Sequence, residues 1–354
     1  MKHILYLIGS LSRGGAETIV VNTLNSIYNK YPTIKISIFT TLEGNGILVN
    51  QLNKNIIYKH VDCSGINVFM GISTIKNYMK QNNVSVLHTH LFYSMIIGRV
   101  VKNSKTHLIE TYHNMEYHPD SVYYSKWRVM LDRFTFRKKI HSLYVSEDVK
   151  ASIAPSRSLN HSNAVINNFA GDEFKYNYKF KENNGLKLLA VGNLKNDKNY
   201  QYALKTLSLL KNTPITLDIY GEGFLRQEMG NYISKNNLNV QIMGNVEITT
   251  KVFNGYDAFL MTSFNEGMPI SLLEAINFGI PCILPDHLPV MRQVAQNAGL
   301  YFSINDETAL KILLLKIVNN KNILKYMSLE TKKQSPIFST DKHVNVLAEI
   351  YNIK

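Results

Sequence analysis

The stretch Ser263-Phe264-Asn265-Glu266-Gly267-Met268-Pro269-Ile270-Ser271-Leu272-Leu273-Glu274-Ala275 decides how this chain is read. Its carboxylates, Glu266 and Glu274, stand eight residues apart across a strand-to-helix junction. Upstream, Ala258-Phe259-Leu260-Met261-Thr262 is a short apolar run, the signal of a buried strand. Downstream, Ile270, Leu273, Ile276 and Phe278 keep a roughly helical rhythm, and Pro269 suits a first helical turn. Glu266 therefore falls in the turn before the helix, and Glu274 about one turn inside it. Between them lie the first amides of the helix, which have no intrahelical acceptors and sit at the positive end of its dipole. Such a helix start can hold a diphosphate, with one carboxylate near each end of the ligand. A carboxylate that accepts from vicinal hydroxyls suits ribose on one side, and the other could face a sugar.

Working outward, short apolar runs alternate with helical patterns almost throughout. In the first half, strands are expected at 4–8, 34–38, 84–87, 108–109 and 143–145, with helices near 18–27, 72–79, 93–101 and 124–138. A polar stretch at 171–185, rich in Lys, Asn and Glu, reads as a linker. The alternation restarts with strands at 186–191, 216–220, 240–243, 258–261 and 282–284. Helices are expected at 200–210, 225–233, 270–278, 307–318, 321–331 and 341–351. This βαβ rhythm predicts an α/β chain of two Rossmann-like halves. Ligands in such sheets bind beyond the carboxyl ends of the strands, so both halves are expected to present loops to a cleft between them.

The quoted stretch resembles the glutamate–seven residues–glutamate signature of retaining nucleotide-sugar glycosyltransferases of family 4, which have the GT-B fold. Other short blocks follow in the family's order. Gly14-Gly15-Ala16-Glu17 is similar to its acceptor-side glycine loop, and Thr111-Tyr112-His113-Asn114 to its central histidine segment. Val145-Ser146-Glu147 and Val165-Ile166-Asn167-Asn168 stand where it has two further blocks. Val191-Gly192-Asn193-Leu194 with Lys198-Asn199 resembles its phosphate-binding block. Ile219-Tyr220-Gly221-Glu222-Gly223 and Met243-Gly244-Asn245-Val246 resemble two loops near the base. The resemblance implies an N-terminal acceptor domain at 1–170, a linker at 171–185, a nucleotide-sugar domain at 186–335, and a last helix within 336–354 that packs back on the first domain.

It also implies roles. Glu266, His113 and Lys198 are the catalytic candidates. Lys198 would neutralise the charge that gathers on a departing diphosphate. Glu266 would stand beside the donor sugar, and His113 would face it from the first domain. Donor-binding candidates are Asn193, Gly221, Glu222, Gly223, Val246, Gly267, Met268, Ile270, Ser271 and Glu274, the last toward ribose. Arg13, Gly14, Gly15 and Glu17 form the acceptor-side loop. At Asn193 the chain departs from the arginine common in the family, and asparagine brings no charge. Gly14-Gly15 is not the spaced three-glycine dinucleotide fingerprint, so NAD is not expected. His88 and His90 share a strand face but have no third ligand near in sequence. They read as cleft-lining or structural, and neither metal nor other cofactor is expected.

Composition bounds the partners. The 354 residues carry a formal net charge of +13, and residues 1–170 hold 19 Lys+Arg against 9 Asp+Glu. A basic half suits an anionic substrate or membrane. With the family habit, it suggests a polyprenyl-diphosphate-linked glycan acceptor in capsule, O-antigen or other surface-polysaccharide assembly. The aromatic and basic segment 123–139 reads equally as a membrane-surface helix or as a scaffold helix. No nucleic-acid module accompanies the charge. Two cysteines, Cys63 and Cys282, suit a reducing compartment, and a cytoplasmic location is expected, peripheral at the membrane's inner face. The opening apolar run reads as a first strand, not a signal peptide. Two readings compete with a UDP-sugar-dependent transferase: a GT-B epimerase or phosphorylase, and a catalytically silent sugar-nucleotide-binding partner.

Overall fold

A computed structural model describes residues 2–44, 46–115, 117, 124–136, 139–153, 162–182, 184–334 and 337–353. The chain forms two compact units, Met1–Asn168 with Thr340–Lys354, and Phe169–Ser339.

The first unit runs β1 (His3–Ile8), α1 (Gly15–Lys30), β2 (Lys35–Thr40), β3 (Ile57–His60), α2 (Val68–Gln81), β4 (Val86–His90), α3 (Phe92–Val101), β5 (His107–Tyr112), α4 (Lys126–Thr135), β6 (His141–Tyr144), α5 (Glu147–Ile153) and β7 (Asn163–Val165). Its sheet has the order β3-β2-β1-β4-β5-β6-β7, with every pair parallel. All six residues of β1 are buried, as befits a strand covered on both faces. The sequence pattern did not reveal β3, an edge strand with three exposed residues, or β7, which has only three residues. The last helix, α13 (Thr340–Ile350), belongs to this unit and packs on α1. Just beyond it, the buried Tyr351 hydroxyl meets the Tyr6 hydroxyl and His88 Nδ1.

The second unit runs β8 (Leu186–Val191), α6 (Tyr200–Ser208), β9 (Ile215–Tyr220), α7 (Arg226–Asn236), β10 (Val240–Gly244), α8 (Thr250–Phe253), β11 (Ala258–Leu260), α9 (Ile270–Phe278), β12 (Cys282–Pro285), α10 (Pro289–Ala295), β13 (Gly299–Phe302), α11 (Ala309–Asn319) and α12 (Asn322–Gln334). Its parallel sheet has the order β10-β9-β8-β11-β12-β13. Strand β13 and helix α10 were not anticipated. Helix α9 has the bounds read from its apolar rhythm and stops at Gly279, whose left-handed backbone (φ 97°) caps it.

The polar stretch at 171–185 lies within the second unit. Phe174 and Tyr178 are buried there, the Tyr178 hydroxyl donates to the Asp257 carbonyl at 2.9 Å, and the Asn177 amide donates to the Phe278 carbonyl. Composition conceals this, because the buried Phe174 and Tyr178, with Tyr176 and Phe180 partly buried beside them, anchor an otherwise polar stretch.

Candidate functional site

In the second unit the loops after β8, β9 and β11 are laced together at the carboxyl end of the sheet. The Leu194 amide donates to the Glu222 carbonyl at 2.9 Å, and the Gly192 amide to the Tyr220 carbonyl at 2.9 Å. Gly221 and Gly223 are what this spacing requires. A Cβ on Gly221 would lie 2.0 Å from the Gly192 carbonyl oxygen, and one on Gly223 would lie 2.4 Å from that of Leu194. The Phe264 amide donates to the Asp197 carbonyl at 2.7 Å, and Thr262 Oγ1 to the Lys198 carbonyl at 2.9 Å. These bonds bring Lys198, in a 3-10 turn before α6, to the segment that carries Glu266.

Lys198 Nζ donates to Glu266 Oε1 at 2.5 Å, and Ser263 Oγ donates to the same oxygen at 2.7 Å. The Lys198 and Glu266 side chains are 22% and 11% exposed, so the pair is shielded yet reachable. Their 68-residue separation hid this pairing, although both were candidates singly. Ser263 is a site residue without a motif of its own, and its hydroxyl three residues before a carboxylate is the signal the sequence offers for it. Pro269 is the cap residue of α9 (ψ 121°), so the amides of Ile270 and Ser271 open the helix. Leu272 and Leu273 already donate to the Pro269 carbonyl. Met268 is buried beside Gly267, and Val246 is exposed on the loop after β10.

Glu274 is partly buried on α9, and its carboxyl pKa is pushed up to about 8, first by burial and then by the charge of Glu173. Glu222 forms a surface ion pair with Arg226 on α7 at 2.5 Å. The Arg226 guanidinium lies over the Gly244 backbone, 3.7 Å from where a Cβ would stand. It is a cation of this loop cluster that sequence reading passed over. Asn193 is half-buried at the head of its loop, and its carbonyl accepts the Lys195 amide.

In the first unit, Gly14 caps α1 in an extended conformation, with Gly15 as the first helical residue. Glu17 folds back over this cap, its Oε2 only 2.2 Å from where a Gly14 Cβ would sit. Arg13 stands one residue before the cap. His113, just past β5, pairs with His90 at the end of β4, where Nε2 and Nδ1 lie 2.9 Å apart. His88 bonds through Nε2 to Thr111 Oγ1 at 2.7 Å and through Nδ1 to Tyr351, and thus serves the fold. Among the described residues, no cluster of His, Cys, Asp and Glu has the makings of a metal site.

Burial holds His90 well below the ordinary histidine range and pushes His113 down to about 3. At neutral pH both rings are neutral and share one proton between facing nitrogens. Folding disfavours their charged forms, so the unfolded chain binds more protons between about pH 3 and 6.5. The first unit is therefore expected to lose stability as pH falls below about 6.5. His90→Leu, which strands a buried nitrogen of His113, should cost about 1–3 kcal/mol. Urea unfolding at pH 7.5 and pH 5.5 measures both effects.

The 123–139 segment, read as either a membrane-surface or a scaffold helix, is described in part. Tyr123, Arg137 and Lys138 lie outside the described residues. On α4, Asp132 is buried and accepts from Arg99 Nη2 at 2.7 Å, while Arg99 also grips Glu110 of β5, which makes α4 part of the scaffold. Trp127, Met130 and Phe134, at helical spacing on the same helix, are 48%, 69% and 80% exposed. No helix among the described residues is long and apolar enough to cross a membrane.

Comparison with known proteins places the fold. HepE of Anabaena in complex with UDP-glucose matches with a TM-score of 0.83 at 14% identity, over 99% of this chain and 100% of that chain. The two parallel-sheet Rossmann-like units are those of the GT-B architecture. Residues 173–334, nearly all of the second unit, match the family described as glycosyl transferases group 1. Over 99% of this chain and 100% of the relative, 24% of positions are identical in a Campylobacter jejuni protein, GalNAc-alpha-(1->4)-GalNAc-alpha-(1->3)-diNAcBac-PP-undecaprenol alpha-1,4-N-acetyl-D-galactosaminyltransferase. The capsular polysaccharide biosynthesis glycosyltransferase CapH of Staphylococcus aureus is also 24% identical, over 78% of this chain and 79% of that protein. In sequence and fold the chain is thus similar to glycosyltransferases.

Proposed function

We propose that the chain is a retaining glycosyltransferase of surface-polysaccharide assembly. It moves a hexosyl or N-acetylhexosaminyl group from a nucleotide sugar, in the first place a UDP-sugar, to a glycan carried on a lipid diphosphate. The observation that carries this reading is the Lys198–Glu266 pair, with Glu266 in the turn that leads into the opening amides of α9. A diphosphate laid over Ile270 and Ser271 meets unpaired donors and the positive end of a dipole. Lys198 adds the cation that steadies charge on the leaving oxygen, and Arg226 supplies a second cation where Asn193 brings none. No divalent metal takes part in this scheme. In this reading the second oxygen of Glu266 accepts from donor-sugar hydroxyls, and Glu274 accepts from ribose. Transfer is front-face, and the departing phosphate oxygen takes the proton of the acceptor hydroxyl. His113, held neutral, serves as a hydrogen-bonding partner and not as a charge. The diphosphate-undecaprenol in the name of the Campylobacter relative and the UDP-glucose in the Anabaena structure support the two substrate classes.

A thermal-shift series with UDP-, GDP- and ADP-sugars tests the donor. A ligand at 100 times its Kd stabilises by about 2.7 kcal/mol, and the UDP-sugar is expected to raise Tm most. No shift with any of the three would end the proposal. Conversion of UDP-sugar without acceptor would point instead to an epimerase, and binding without turnover to a silent partner.

The exposed face of α4, with Lys126 and Arg133 on the same helix, suits the inner face of an anionic cytoplasmic membrane. Each large apolar side chain that enters the interface is worth about 1.5–3 kcal/mol. Replacing Trp127, Met130 and Phe134 with serine should weaken sedimentation with anionic phospholipid vesicles by roughly 10²-fold or more. Unchanged sedimentation would remove the membrane contact.

A further inference from the structure

The first unit holds a cavity of about 410 Å³ at the carboxyl ends of β1, β2 and β3. That is within the size range of small-molecule sites, and it lies on the side of a parallel sheet where ligands bind. Its polar lining includes Ser10, Thr40, Glu43, Tyr58, His60 and Asp62. None of these residues belongs to a motif, and β3, which supplies two of them, was not legible in the sequence.

The lining specifies a chemistry. Tyr58 and His60 lie two apart on β3 and so share a face. Both reach the buried Thr40 Oγ1, at 3.3 Å and 3.0 Å, which fixes the two rings side by side. Asp62 Oδ1 accepts from the Ser64 amide at 2.8 Å and from Ser64 Oγ at 2.6 Å, and Oδ2 accepts from Asn67 Nδ2 at 2.6 Å. These bonds, that from the Ser64 hydroxyl foremost, hold the carboxyl pKa down to about 2. Three of its roughly four acceptor positions are thus filled, and one remains for a ligand donor. Glu43 brings a second carboxylate on a loop pressed against the β1–α1 turn. A Cβ on its neighbour Gly44 would lie 2.6 Å from Ser10 Cβ and 2.6 Å from Ser12 Oγ. No lysine or arginine is among the described lining residues, and no metal cluster is found there. Carboxylates without a cation repel phosphate and carboxylate ligands. Ring bodies and hydroxyl acceptors suit a neutral ligand with a C–H face and several O–H donors.

We infer that this cavity binds a neutral sugar unit of the acceptor glycan, with Asp62 and Glu43 accepting from its hydroxyls and Tyr58 and His60 covering its apolar face. This rests on the transferase reading and adds to it the acceptor subsite. The site takes hydroxyls and not the diphosphate, which must be held elsewhere.

The test uses the full chain with methyl α-N-acetylgalactosaminide and methyl α-glucoside as probes in saturation-transfer NMR, with UDP in the same tube. Transfer to at least one glycoside is expected, reduced roughly tenfold in Tyr58→Ala and in Asp62→Asn. UDP signals should be equal in all three proteins, and a thermal unfolding curve that keeps the transition of the first unit shows that the variants are folded. Glycoside signals unchanged in both variants, absent in the wild type, or displaced by inorganic phosphate would each overturn the inference. UDP binding without glycoside binding leaves the donor reading standing and sinks this one. Variant-sensitive glycoside binding without UDP binding does the reverse.

Discussion

Replacing Lys198 with alanine is expected to lower kcat by about 10²–10³, the usual cost of removing one fixed donor from a site of developing negative charge. The backbone should not move, because the bonds that stitch this loop use the Lys198 carbonyl and the Asp197 carbonyl, not the lysine side chain. What changes is electrostatic. Glu266 is left with Ser263 Oγ alone on Oε1, and an uncompensated carboxylate then faces an anionic donor. Donor KM should therefore rise together with the fall in kcat. Adding Glu266→Gln to Lys198→Ala removes that surplus charge without restoring the cation, so in the double variant KM should recover while kcat stays low. The single effects will not add, because the two groups are in direct contact. Nucleotide release from the donor sugar, measured for the four proteins over a range of donor concentrations, separates these outcomes. A Lys198→Ala enzyme within about threefold of wild-type kcat would show that the pair is only structural.

Nucleotide affinity is expected to rise with pH between about 5 and 8, through Glu274. Burial first, and Glu173 second, push this carboxyl up to about 8, so at pH 6 it is protonated in the folded chain and ionised in the unfolded one. The unfolded state binds fewer protons across that window, so this group's effect on stability becomes unfavourable as pH rises from about 4.5 and levels off above 8. A ribose diol donates best to the ionised carboxylate. Binding should therefore release up to one proton, and affinity should rise by at most about tenfold per pH unit below 8. Glu274→Gln keeps the shape and removes the titration, which should flatten the profile. Calorimetry with UDP from pH 5.5 to 8.5, in buffers of different ionisation enthalpy, counts the protons directly. A flat wild-type profile would place ribose elsewhere.

Local sequence determined much of the fold. The bounds of α9 follow from apolar spacing and the Pro and Gly that flank it, and most strands of both parallel sheets, though not β3, β7 or β13, stood out because burial on both faces demands unbroken apolar runs. Edge strand β3 did not stand out, because a strand open to solvent need not be apolar. The aromatic anchors of the polar arm at 171–182 were equally hidden.

The candidate residues of the second unit were legible one at a time, as a glutamate pair, a lysine after a strand and glycines in turns. Their partnerships were not. Lys198 and Glu266 are 68 residues apart, His90 and His113 are 23 apart, and the rings over Thr40 come from a strand with no signal of its own. Sequence by itself determined which segments fold and which side chains are available for chemistry, because propensity and burial act over neighbouring residues. Tertiary structure alone decided which of those side chains meet and at what protonation. Charge pairing and desolvation depend on distances of a few ångströms between atoms that the chain order leaves far apart.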